Sequence, residues 1–170
     1  MAIGGRTKGK VKKWVLIAAT ALVIAVGGLL WFYQQIRGDY EELHREARQR
    51  ALNDTSLVHI EKTELFAGAN VYTILFGTNE EGQPLIVWVS AEELHEELAE
   101  NGVSAEQVRA IAEQRNGPLR SVRLTPGKWR DTYVWELFYT RLQDGEEYYF
   151  YDYYRFSDGQ WQDTYRLKAR

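Results

Sequence analysis

An uncharged run of 20 residues, residues 14–33, lies near the N-terminus of this chain and limits how it can fold. A helix rises about 1.5 Å per residue, so a helical run of this length spans about 30 Å, the hydrocarbon thickness of a bilayer. Trp14 lies at one end of the run and Trp31, Phe32 and Tyr33 at the other, where aromatic rings prefer the headgroup level. We therefore predict a single transmembrane helix over residues 14–33.

The charges before this run predict its orientation. Five basic residues precede it and no acidic residue does, so the positive-inside rule predicts that residues 1–13 form a basic cytoplasmic tail. The alternative is a cleaved signal peptide, because Ala19-Thr20-Ala21 has a small-x-small pattern. That pattern comes after only a few apolar residues and the run continues for a dozen more, so we favour an uncleaved anchor with the rest of the chain extracytoplasmic.

Composition narrows the possible partners of the outer part. All 24 acidic residues follow Gly38, and against the 15 basic residues of that part they give a net charge of −9. Such a domain does not attract nucleic acid through its net field, so we expect the membrane and a protein as partners. The chain has no cysteine, which excludes disulfides, thiol catalysis and cysteine metal sites. A small extracytoplasmic domain without disulfides also favours a bacterial origin.

The sequence after the predicted anchor indicates an α+β protein with two tandem units, each a helix followed by an antiparallel sheet. The first unit, residues 38–90, has helical periodicity over 39–52 and then three runs rich in β-branched and aromatic residues, at 57–66, 71–77 and 85–90. Residues 91–103 are predicted as a linking segment that begins with an acidic helix over 91–99. The repeated order of elements, rather than sequence identity, indicates a duplication.

The second predicted unit, residues 104–170, begins with a helix over 105–114 that Ser104 caps. Glycine-containing turns then separate four predicted strands, and Pro126-Gly127 is taken as the turn after the first of them. Val87-Trp88-Val89 and Val134-Trp135 are predicted as inner strands whose tryptophans are buried against the helices. The four strands are expected at 119–125, 133–142, 147–156 and 160–167.

No motif in the sequence carries catalytic chemistry. His95-Glu96-Glu97-Leu98-Ala99 approaches the zinc-protease motif H-E-x-x-H, but alanine stands where the second histidine ligand is needed. The serines lie at predicted caps, strand ends and turns, and none belongs to a G-x-S-x-G elbow. We therefore predict a non-enzymatic protein with no catalytic residue, no metal site and no cofactor.

The most unusual feature of the outer part is the aromatic content of residues 148–156, YYFYDYYRF. Because strand side chains alternate, this strand places aromatic rings on both faces of its sheet, and one face is enough for the core. The second face is then either a binding surface for protein or glycan, which tyrosine and tryptophan suit, or a face covered by helices. The candidate binding residues are Trp129, Trp135, Tyr149, Tyr151, Tyr153 and Trp161.

Several of these segments together resemble a known family. The anchor, the Val87-Trp88-Val89 strand and the second-unit pattern of Trp135-Glu136-Leu137, Tyr149-Phe150-Tyr151-Asp152 and Gly159 are similar to the YpmB (TseB-like) family of Gram-positive bacteria. The chain departs from the usual pattern by having Ser157-Asp158-Gly159 where a Thr-Gly turn is common. The resemblance implies tandem PepSY/cystatin-like units and regulation of cell wall elongation through a membrane-bound penicillin-binding transpeptidase. The alternative that it implies is an inhibitor or sensor that binds a peptidase or a small ligand.

Overall fold

The computed structural model describes residues 6–169, except for the side chains of residues 6–13, 15–18 and 34–41. The chain divides into two compact bodies, one ending at Leu43 and the other formed by His44–Arg170. Helix α1 (Arg6–Asp54) contributes residues to both. The predicted basic side chains of the tail lie outside the described residues.

The first body consists of the N-terminal part of α1. Its described apolar side chains are exposed, including Leu22, Val23, Ile24 and Trp31. Within the described residues, no helix meets the length and hydropathy needed to cross a bilayer.

The second body begins with the end of α1, which packs on an antiparallel sheet, sheet A. Ala47 and Ala51 of α1 are buried against Leu75, Val87 and Val89 of the sheet. Small helix residues allow the helix backbone to approach the sheet closely, which explains why this part of α1 shows alanine on its buried side. The four strands follow one another in space as in sequence: β1 (His59–Ala67), β2 (Val71–Thr78), β3 (Pro84–Val89) and β4 (Leu94–Leu98).

The fourth strand corrects the predicted acidic helix over 91–99. Residues Leu94–Leu98 form β4, which pairs with β3 so that His95 lies opposite Trp88. A short 3-10 turn, Ala99–Asn101, follows. The sequence LHEEL alternates apolar and polar residues only in part, and the free edge of β3 offers backbone pairing that outweighs the helix propensity of glutamate and leucine.

Helix α2 (Ala105–Asn116) opens the second half of this body as predicted. Ser104 and Gln107 form a capping box, and Gly117, with φ of 76°, ends the helix. The helix buries Val108 and Ala112 against a second antiparallel sheet, sheet B. Its strands again follow in sequence order: β5 (Arg120–Trp129), β6 (Thr132–Gln143), β7 (Glu146–Arg155) and β8 (Trp161–Lys168).

The predicted turn at Pro126-Gly127 is wrong, because β5 continues through both residues to Trp129. Proline is tolerated there because β5 is an edge strand and needs no outward N–H at that position. A side chain at Gly127 would lie 2.4 Å from the ring of Phe66 in β1, so glycine lets sheet A approach the β5 backbone. The turn instead falls at Arg130 and Asp131, where Arg130 has φ of 54°.

One hydrophobic core joins sheet A, sheet B and α2. Trp88 is fully buried and packs against Tyr133 and Phe156, with ring centroids 5.1 Å and 5.3 Å away. Trp135 is also buried, and its indole Nε1 donates a hydrogen bond to the carbonyl of Val103 at 2.9 Å. Both tryptophans lie in inner strands as predicted, although Trp88 packs against rings of the second sheet rather than against α1. The α+β class with two antiparallel sheets is thus confirmed.

Candidate functional site: an aromatic surface on the second sheet

Strand register separates the two faces of sheet B. In β6, Trp135, Leu137 and Tyr139 are buried on the face that also carries α2. The residues between them point to the opposite face, where Phe138 lies directly across from Tyr151 of β7. Because opposing residues in an antiparallel pair lie on the same face, the alternation of the sequence divides this sheet into a core side and an open side, although Val134 and Glu136 of the open side are themselves buried.

The open side carries a continuous group of aromatic rings, which we call the aromatic surface. Phe138 lies 5.8 Å from Tyr149 and 5.1 Å from Tyr151, measured between ring centroids. Tyr153 stacks on Trp129 at 5.5 Å and meets Tyr165 edge-on at 5.9 Å. The aromatic surface consists of Trp129, Phe138, Tyr149, Tyr151, Tyr153 and Tyr165.

These rings are held in place while remaining accessible. The first five are half-buried and Tyr165 is 49% exposed. The hydroxyl of Tyr153 donates to Glu136 Oε2 at 3.0 Å, and the guanidinium of Arg123 lies 3.6 Å from the other carboxylate oxygen. Burial raises the pKa of Tyr153, and the Glu136 carboxylate raises it further. Tyrosine rings fixed in this way lose little entropy on binding, so the surface suits a protein partner.

Four of the six predicted binding residues lie on this surface: Trp129, Tyr149, Tyr151 and Tyr153. Trp135 belongs to the core instead. Trp161 is 41% exposed, but it lies beside α2, where the guanidinium of Arg115 stacks 3.8 Å from its ring. Phe138 and Tyr165 are not among the predicted residues, although the strict alternation of β6 and β8 assigns them to the same face.

A buried carboxylate fixes β7 from behind the surface. Asp152 is inaccessible to solvent, and its Oδ1 accepts a 2.6 Å hydrogen bond from the Thr164 hydroxyl of β8. Its Oδ2 accepts from Asn116 of α2 at 3.1 Å and from the hydroxyls of Tyr139 and Tyr154 at 3.3 Å. A buried charge needs such partners, and here they join three strands and a helix. Asp152 therefore has a structural part in positioning the strand that carries the tyrosines.

A second polar cluster joins the two sheets. Glu93, just before β4, accepts hydrogen bonds from Lys128 Nζ at 2.7 Å and 2.8 Å and from the Tyr72 hydroxyl at 2.9 Å. The hydroxyl of Tyr133 donates to the same carboxylate. These donors lower the pKa of Glu93 to about 2, with Lys128 the largest cause. The pKa of Tyr133 is raised by burial first and by Glu93 second.

A cleft of about 320 Å³ opens beside this cluster. His95 stacks on Tyr133 in its wall, with ring centroids 4.0 Å apart and planes inclined by 10°. Glu97, Asp131 and Arg155 add charges of both signs to the lining. Among the described residues, no group of three or more His, Asp or Glu side chains is close enough to hold a metal ion.

Comparisons with known proteins match the two halves separately. Residues 46–90 match the family described as Cell wall elongation regulator TseB-like domain, and residues 102–151 match the Peptidase propeptide and YPEB domain, or PepSY. The curated Bacillus subtilis (strain 168) protein "Probable cell wall elongation regulator TseB" is 27% identical over 130 residues, which cover 75% of this chain and 79% of that protein. The solved structure "YpmB protein from Bacillus subtilis" has a TM-score of 0.64 at 25% identity, over 73% of this chain and 97% of that one.

The first match covers the end of α1 with β1 to β3, and the second covers α2 with β5, β6 and part of β7. A TseB-like unit followed by a PepSY unit defines the class, a PepSY-containing α+β protein built on two four-stranded sheets. Within that class the chain is similar to the YpmB/TseB-like proteins, and these matches confirm the resemblance seen in its strand motifs.

Proposed function

We propose that this protein is a membrane-anchored, extracytoplasmic and non-enzymatic regulator of cell wall elongation that binds a penicillin-binding transpeptidase. The wall-elongation part rests on the similarity to the curated TseB protein. The transpeptidase part rests on the family resemblance together with the aromatic surface.

The observation that carries the proposal is the open aromatic face of sheet B. Tyr149, Tyr151 and Tyr153 alternate along β7 with residues of the core, so their outward position follows from the strand and not from a flexible loop. Aromatic side chains dominate the energetics of protein interfaces, especially where neighbouring groups hold them rigid. Phe138 and Tyr165 extend the surface across β6 and β8, which makes it broader than one strand.

Residues 14–33 supply the proposed anchor. The uncharged run and the five basic residues before it support one membrane pass, with residues 1–13 in the cytoplasm. Tethering the protein and a membrane-bound transpeptidase to one bilayer raises their effective concentration, so a modest interface is sufficient. We propose 38–90 and 104–170 as the two outer units, joined by residues 91–103, of which Leu94–Leu98 also pair with the first unit as the fourth strand of sheet A.

The test is photo-crosslinking in intact cells. A photoreactive amino acid replaces Tyr151 in the full-length chain, and a matched control replaces Val71, a strand residue of sheet A that is 50% exposed. We expect a crosslinked product labelled by fluorescent penicillin from position 151 and none from position 71. Absence of the labelled product at 151, or equal yields at both positions, contradicts the proposal.

The cleft supports a second candidate function, an inhibitor or sensor that binds a peptidase or a small ligand. The stacked His95–Tyr133 pair and the lining charges of both signs suit a peptide with free ends or charged side chains. The same crosslinking chemistry at Ser157, an exposed residue of the cleft lining, tests it. Capture of a peptidase or a soluble peptide from Ser157, with no transpeptidase from Tyr151, favours this function over the first.

A further inference from the structure

We propose that the free edge of β8 pairs with an extended segment of the partner, which adds a fifth strand to sheet B beside the aromatic surface. The inference rests on the proposed function, because it describes how the same partner is bound. Strand addition is a common recognition mode in which backbone hydrogen bonds give affinity and alternate side chains give specificity.

The register shows which backbone groups of β8 are unpaired. The amide of Ala169 donates to the carbonyl of Glu147 at 2.9 Å, which makes this a hydrogen-bonded pair of the antiparallel ladder. Because such pairs alternate, the backbone groups of Tyr165 and Leu167 also point towards β7. Those of Thr164, Arg166 and Lys168 point away from the sheet, and of these the Thr164 amide already donates to Asp163 Oδ1 at 2.8 Å. No strand among residues 6–169 pairs with that edge, since β8 is the last strand in the order of sheet B.

The other three sheet edges are less suitable for pairing. Strand β4 has only five residues, and β1 has a register shift between Ile60 and Lys62. Strand β5 contains Pro126, which has no N–H, and it lies against Phe66 of sheet A. Short strands, bulges and prolines are the usual protections of edges. From Asp163 to Lys168, β8 has an unbroken register and no proline.

Side chains along β8 indicate the chemistry of the added strand. Tyr165 and Leu167 are 49% and 55% exposed on the side of the aromatic surface. Arg166 and Lys168 lie on the other side, where Arg166 is stacked 5.1 Å above the ring of Tyr148 and Lys168 forms an ion pair with Glu146. A segment that alternates apolar and acidic residues matches both sides. Self-pairing of two β8 strands would instead bring Arg166 and Lys168 close to their own copies, so like charges disfavour a second copy of this chain.

The test replaces Arg166 with proline and compares it with alanine in the full-length protein. R166P removes an outward N–H while the inward pairing with β7 is unaffected, and R166A removes the same side chain but retains the N–H. Each variant carries a purification tag and is purified from the membrane. The transpeptidases that co-purify with it are labelled with fluorescent penicillin and quantified. We expect R166A to retain capture within about threefold, and R166P to lose about tenfold or more, with unfolding midpoints unchanged.

Equal capture by R166P and R166A overturns strand addition, while the proposed function stands as long as the wild type still captures a transpeptidase. If the wild type captures no transpeptidase, the proposed function fails. Strand addition at the free edge of β8 is then tested separately with a synthetic peptide of alternating valine and glutamate. Slower amide exchange at Arg166 and Lys168, with Asp163 and Tyr165 unchanged, supports strand addition. Unchanged amide exchange in the presence of the peptide overturns strand addition. Amide exchange that slows with protein concentration in the absence of peptide indicates self-pairing and also overturns it.

Discussion

Replacing Glu93 with glutamine removes the charge that joins the two sheets. The carboxylate accepts hydrogen bonds from Lys128 and Tyr133 of sheet B and from Tyr72 of sheet A. One substitution therefore weakens contacts to both sheets. Glutamine has nearly the same volume, and therefore the substitution leaves packing intact and isolates the electrostatic contribution. We expect E93Q to fold and to be less stable than the wild type at neutral pH.

The size of this loss of stability follows from the pKa of Glu93, which falls from the ordinary 4.5 to about 2 in the folded protein. A shift of that size corresponds to about 3 kcal/mol of unfolding free energy if unscreened. The Glu93 side chain is 31% exposed and that of Lys128 is 19% exposed, so solvent screening reduces this to about 1–2 kcal/mol. Because the folded pKa is depressed, the stabilisation is complete above about pH 4.5 and is lost as the pH falls towards 2.

Urea unfolding of the full-length protein in detergent, from pH 7 to pH 2, measures this contribution. The wild type should lose about 1–2 kcal/mol more than E93Q across the window between pH 4.5 and 2. The matched control is E92Q, at the exposed neighbouring position, which should follow the wild type. An E93Q profile parallel to that of the wild type would refute the electrostatic role of Glu93.

Three further substitutions test the core. Trp135→Ala should reduce the unfolding free energy by about 3–5 kcal/mol, because it removes a buried ring and its bond to Val103. Asp152→Ala should cost about 2–4 kcal/mol, because four donors lose their common acceptor in the interior. Gly77→Ala should cost about 2 kcal/mol or more, because the added Cβ would lie 1.8 Å from the carbonyl oxygen of His59. Urea unfolding at neutral pH measures all three.

Matched substitutions at exposed positions control for side-chain loss itself. Trp161→Ala removes the same side chain as Trp135→Ala from a surface position, and Gly82→Ala adds a methyl group where nothing lies within 4 Å, although at a φ of 76°. We expect a cost below about 1.5 kcal/mol for each control. If Trp135→Ala costs no more than Trp161→Ala, the buried position of Trp135 is contradicted. A Gly77→Ala protein as stable as the wild type would contradict the close approach of β1 and β2.

The sequence predicted most of the fold because its local signals agree with the tertiary structure. The capping residue Ser104, the β-branched and aromatic runs and the glycine turns at Gly145 and Gly159 all lie where they were expected. The helix predicted over 91–99 failed because glutamate and leucine favour helices locally, whereas the exposed edge of β3 is a property of the folded sheet. Pro126 was predicted as a turn for a related reason. A proline indicates the end of a strand unless that strand is known to lie at the edge of a sheet.

The candidate site was predicted in part. Strand alternation placed Tyr149, Tyr151 and Tyr153 together, and the register of β7 with β6 and β8 bears out that grouping. The same rule could not separate Trp135 from them, because the sequence does not state which face of β6 meets α2. Glu93 was not singled out at all. Its partners come from three different strands, and only tertiary packing brings Tyr72, Lys128 and Tyr133 to one carboxylate.

If the aromatic surface binds a membrane transpeptidase, its tyrosines contribute to the affinity between the two proteins. The full-length protein in nanodiscs is titrated with the purified transpeptidase, as wild type and with Tyr149 and Tyr151 both replaced by serine. The double variant should bind at least about tenfold more weakly, while urea unfolding shows that it is still fully folded under the conditions of the titration. Equal dissociation constants for the two proteins would contradict it.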